Sequence, residues 1–145
     1  MAQSIGILRG GWGLTALYLA AFMFFLGVFG TANMLMGGLP IALILWVLPA
    51  VAAGMAGVAF VGVGDAALAP RPRLHLAIRL SVILLLVGAA LTWVAASLGN
   101  PGLTVFGFPG NAFIWRGLVP GVLLFALNLA GLWLGGKIAL SGQSA

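Results

Sequence analysis

The chain has 145 residues, of which 63 % are hydrophobic and 5 % charged, with six basic side chains against one acidic and a formal net charge of +5. Soluble domains carry roughly 25 % charged residues, so a water-facing surface cannot be built from this composition, and a disordered chain is never this apolar. The absence of cysteine excludes disulfides, thiolate metal centres, iron–sulfur clusters and cysteine nucleophiles, which leaves an integral membrane protein.

Charge spacing sets the spans. No formal charge falls between Arg9 and Asp65, and a membrane helix needs about 20 apolar residues, so this stretch crosses twice. Its one strong break is Met36-Gly37-Gly38-Leu39-Pro40, where glycine supplies turn conformations and proline suits the first turn of the next helix. The expected helices are 11–36 and 41–64. Arg9 ahead of an apolar run, with Gly30-Thr31-Ala32 further on, has the outline of a signal peptide. The run is too long for such a hydrophobic region, and a retained first span is expected.

The third helix is expected over 74–98, ending at the breaker cluster Gly99-Asn100-Pro101-Gly102. A loop over 99–114 follows, and Arg116 and Lys137 bracket a fourth helix over 115–140. Unbroken apolar runs without alternation favour helices over barrel strands. The fold expected is an all-α, four-helix membrane bundle forming one domain. The Lys and Arg distribution orients it. Arg9, Arg71, Arg73, Arg79 and Lys137 fall on one side and Arg116 alone on the other. Both termini are thus expected in the cytoplasm, across a bacterial inner membrane. Gly38-Leu39-Pro40 recurs as Gly107-Phe108-Pro109, and Trp46 as Trp115, at one common offset. This would fit a parallel repeat of helix pairs, although interfaces favour these residue types anyway.

Few residues are candidates for chemistry. Asp65, the one acid, stands at the end of the second helix just before Arg71 and Arg73. There it reads as a carboxylate balancing arginines rather than a coupling site within the bilayer. Pro70-Arg71-Pro72-Arg73 reads as a proline-stiffened turn, and His75 and Arg79 share a face of the helix that follows. Arg71, Arg73 and Arg79 can hold anionic headgroups, dock an acidic partner surface, or simply retain the loop in the cytoplasm. His75 is the single histidine. It is the one candidate cofactor ligand, for a haem or chlorophyll, yet it lies among arginines near the headgroups. No metal site is expected from so few donors, and the identity of any cofactor stays open.

Asn128 lies mid-way along the fourth helix. It is expected to bond across helices, the other use being to line a substrate path. The loop between the third and fourth helices is too apolar for free water. Phe106, Phe108, Phe113, Trp115 and Arg116 are expected to contact lipid or a partner, or to lie over a ligand site as a lid. Small residues crowd the second helix and recur as Gly117-xxx-Gly121 and Gly131-xxx-Gly135 on the fourth, which permits close helix approach. Pro49 and Pro120 fall within helices and predict kinks.

The function expected is that of a non-catalytic subunit of a larger membrane complex, photosynthetic or respiratory. Its partners would be lipids and other membrane subunits, not nucleic acid, because the positive charge is spread along membrane edges. The alternative is a small homo-oligomeric channel or transporter for a neutral, anionic or lipid-like substrate. An enzyme is not expected, since His75 and Asp65 alone would have to supply the chemistry.

Overall fold

The computed structural model describes residues 12–64, 68–99, 105–106 and 114–143, the side chains of 63, 64, 115 and 116 excepted. It is all-helical in these residues. Four helices are long and apolar enough to cross a membrane: α1 (Trp12–Met36), α2 (Ile41–Gly64), α3 (Pro70–Ser97) and α4 (Val119–Gln143). A π-helical turn, Ile114–Leu118, leads directly into α4.

The hairpin between α1 and α2 follows from its residues. Gly37 and Gly38 take φ of 68° and 72°, a left-handed conformation that only glycine adopts without strain. Asn33 closes the turn: its carbonyl accepts from the Gly37 N–H at 2.9 Å, and its Oδ1 accepts from the Leu39 N–H at 3.1 Å. Pro40 follows as the residue before α2, its carbonyl accepting from the N–H groups of Leu43 and Ile44. An end that would otherwise leave bare polar groups near hydrocarbon is thereby satisfied.

α3 corrects the expected boundary. It starts at Pro70, not at 74, so Pro70-Arg71-Pro72-Arg73 is the first helical turn instead of a turn ahead of the helix. Proline is tolerated there because the first-turn N–H groups have no intrahelical acceptor in any case. The Arg73 N–H already bonds the Ala69 carbonyl at 3.0 Å. At 28 residues α3 is about 42 Å long against a hydrocarbon core of about 30 Å. Its surplus carries Arg71, Arg73 and His75. α4 likewise runs three residues past its expected end, to Gln143.

The most extensive packing is between α2 and α4, with α1 laid on α2, α3 laid on α4, and α1 and α3 meeting at few points. α2 and α4 run parallel, since Ala50 lies against Gly131 and Gly54 against Gly135. A Cβ added at Gly131 or Gly135 would overlap the backbone of Ala50 or Gly54. One added at Gly57 would sit 2.7 Å from the Leu132 carbonyl oxygen. Glycine is required at this crossing, where backbones touch. The crossing is also out of step with the sequence repeat. A duplication about an axis along the membrane normal would bring repeat-related residues to the closest approach, as Trp46 is related to Trp115. The observed pairs are not so related.

Candidate functional site

Two features occupy the interior between the helices: a polar chain and an aromatic cluster. The polar chain joins three helices. The Tyr18 hydroxyl on α1 donates to Asn128 Oδ1 on α4 at 2.9 Å. Asn128 Nδ2 donates to Ser81 Oγ on α3 at 3.0 Å, and Ser81 Oγ donates to the Ala77 carbonyl at 2.7 Å. Tyr18 and Asn128 are fully buried and Ser81 is nearly so. Direction is set by the last link. With the Ser81 proton on Ala77, its oxygen can only accept, so the amide nitrogen of Asn128 faces it and the amide oxygen faces Tyr18. The sequence singled out Asn128 but neither partner. Neither Tyr18 nor Ser81 stands out in the sequence, since each falls within an apolar run.

The aromatic cluster closes the bundle toward the end with the α1–α2 hairpin. Phe106, from the loop between α3 and α4, is 4 % exposed. Its ring meets Trp46 edge-on at 5.5 Å between centroids and Phe22 at a tilt, 6.1 Å away. Gly88 of α3 makes the space, since a Cβ there would lie 2.8 Å from the Phe106 ring. The preceding residue is held by the Val105 N–H donating to Thr92 Oγ1 at 3.0 Å, while Thr92 itself donates to the Gly88 carbonyl at 2.8 Å. Phe106 adopts φ 56°, a left-handed conformation costly for a bulky side chain. Phe106 belongs to a loop expected to lie on the outer interface or to fold over the bundle; its ring points into its own bundle, and burial of the ring offsets that strain.

The other loop positions, Phe108 and Phe113, lie outside the described residues, as does Asp65. Trp115 and Arg116 are placed by backbone only, in the π-helical turn.

Arg71, Arg73, His75, Arg79 and Lys137 lie toward the opposite end, where α1 and α3 begin and α4 finishes. Arg71 and His75 are exposed on α3, and Arg73 and Arg79 are half-buried. The Arg79 guanidinium lies 5.1 Å from the ring centroid of Trp12 on α1, and its Nε is buried without a hydrogen bond. Lys137 repeats the arrangement within α4, its ammonium 4.8 Å from the centroid of Trp133 one turn earlier. Charges resting on indole faces suit a membrane edge, where a cation–π contact replaces part of the lost hydration. Among the described residues no cluster of His, Asp or Glu suits a metal ion.

Two outward grooves flank α4. One, of about 610 Å³, runs between α2 and α4, and its walls include Val51, Met55, Val58, Leu134 and Ile138. The other, of about 460 Å³, lies between α3 and α4, with Ser81 in a lining that is otherwise apolar. Set against family models, curated proteins and solved structures, the chain finds no match in any of the three.

Proposed function

We propose that the chain is a non-catalytic integral membrane subunit of a larger membrane assembly, with energy-transducing complexes of the photosynthetic or respiratory kind the first hosts to test. The observation that carries this reading is the use made of the interior polar groups. Tyr18, Asn128, Ser81 and the Ala77 carbonyl bond one another in a closed chain. Such a chain fixes helices and offers little to a passing solute. The outward surface supports the same reading. The hairpin half of α1 exposes Met23, Phe24, Val28, Met34 and Leu35, a face suited to lipid or to another membrane helix.

In this reading the basic end faces the cytoplasm of a bacterial inner membrane, as the excess of Lys and Arg there favours. A carboxy-terminal fusion to green fluorescent protein should then be bright and one to alkaline phosphatase inactive; the reverse pattern would invert the topology. A second reading, a homo-oligomeric channel or carrier for a neutral, anionic or lipid-like substrate, draws on the apolar groove between α3 and α4, which suits a lipid-like substrate. The deciding experiment is isolation from native membranes in mild detergent or nanodiscs, read by native mass spectrometry. Foreign subunits in fixed stoichiometry are expected. A homodimer or ring carrying no other protein would overturn the subunit reading and direct work to flux assays.

A further inference from the structure

We infer that the outward face of α3 seats an anionic phospholipid, its phosphate held by Arg71 and His75 and one acyl chain laid along Ile78, Val82 and Leu85. The inference needs membrane insertion only and does not rest on the subunit reading. It starts from the length of α3. A hydrocarbon core of about 30 Å takes about 20 helical residues, which counted back from Ser97 end at Ile78. Residues 70–77 then stand beyond the hydrocarbon, at headgroup level and above. A second observation marks the same edge. Arg79, directly after Ile78, has its guanidinium over the Trp12 indole, the pairing that suits the border between hydrocarbon and headgroups.

The helix sorts its basic residues by face. At about 100° of turn per residue, Arg71 lies two turns before Ile78 and only about 20° from it around the helix, with His75 about 60° away. Arg73 lies about 140° round, on the other side, and is half-buried, while Arg79 is turned onto α1. Arg71, Leu74, His75, Ile78 and Val82 are exposed, and Arg71 and His75 have no partner among the described residues. One and two turns past His75 the same face becomes a wall of the groove between α3 and α4, lined there by Ile78, Val82 and Leu85. Basic foot and apolar track thus form one continuous strip. From Arg71 to Leu85 it rises about 21 Å, and one leaflet with its headgroups is about 20–22 Å deep. A guanidinium meets phosphate through two parallel N–H bonds, and an imidazole adds one N–H in either protonation state. Other occupants answer only part of the strip. A second copy, related by a two-fold axis along the membrane normal, would set Arg71 against Arg71. An acidic soluble surface would meet Arg71 and leave the track within the hydrocarbon uncovered.

The test uses the full chain in mild detergent, stripped of lipid and titrated with dioleoyl phosphatidylglycerol or dioleoyl phosphatidylcholine, with adducts counted by native mass spectrometry. The first phosphatidylglycerol should bind about fivefold more tightly than the first phosphatidylcholine, the size expected for one arginine beside an anionic headgroup. Arg71→Gln should remove the preference, Arg71→Lys should keep it, and His75→Ala should lower it part-way. Arg73→Gln makes the same change of charge two residues along, on the other face, and should leave the preference intact. Val122→Phe adds bulk at an exposed residue lining the groove and should weaken the first site for both lipids alike. The inference is overturned if the preference survives Arg71→Gln, or if Arg73→Gln lowers it as much. It is equally overturned if Val122→Phe leaves the first site unchanged, or if the wild type is a dimer that Val122→Phe converts to a monomer.

Discussion

The seam between α2 and α4 and the gap between α1 and α3 belong to one bundle but are held by opposite means. At the seam the side chains have been removed. Gly131 and Gly135 lie on the backbone of α2 with no room for a Cβ. Across the gap the helices barely meet, and they are joined by what fills it: Phe106 against Phe22 and Gly88 toward one end, and Tyr18, Asn128 and Ser81 deeper in. Water supplies no driving force between helices in hydrocarbon, so association rests on close atomic packing or directed bonds. The seam uses the first and the gap adds the second. A seam of this kind tolerates no added atom, and a filled gap tolerates no missing one.

That contrast can be broken from either side. The largest effect should come from Gly135→Leu, which forces a branched side chain into the Gly54 backbone. A loss on the order of 3 kcal/mol or more is expected, read as collapse of the cooperative thermal transition in detergent. Phe106→Ala should rank next. Loss of a buried phenyl ring costs about 3–5 kcal/mol, reduced here by about 1–2 kcal/mol where the strained φ relaxes, and the readout is a lowered Tm with Trp46 fluorescence shifted to the red. Asn128→Leu should cost about 1–2 kcal/mol, because Tyr18 and Ser81 each lose a partner in hydrocarbon, whereas Ser81→Ala should cost about 0.6 kcal/mol. If Asn128→Leu proved as damaging as Gly135→Leu, the division into a packed seam and a bridged gap would be wrong.

These same regions differ in how far they could be read from the chain. The spans were legible because charges are so sparse, and the α1–α2 hairpin because Gly37, Gly38 and Pro40 act locally. Pro70 and Pro72 misled for the same reason that they are informative: proline opens helices as readily as it makes turns, and only the hydrogen bond from Arg73 to Ala69 separates the two. Asn128 stood out as an amide in an apolar run, but its partners depend on the register of three helices. Phe106 could not be told from Phe108 or Phe113. What turns it inward is a vacancy at Gly88 and a hydroxyl at Thr92, both on another helix. The grooves were invisible too, since a small-residue stripe reads the same whether it is sealed or leaves a channel beside it.

The bond between Tyr18 and Asn128 also has a bearing on synthesis. Its two residues are 110 positions apart, on α1, which emerges early from the ribosome, and α4, which emerges after the other three spans. At roughly 5–20 residues per second, α1 spends on the order of 5–20 s without the acceptor that its phenol finds in the finished protein. During that interval the hydroxyl must be served by lipid headgroups, by water, or by the insertion machinery. Closure of the bundle is therefore tied to the emergence of α4, and a product truncated before α4 would keep an unsatisfied polar group that quality-control proteases could recognise.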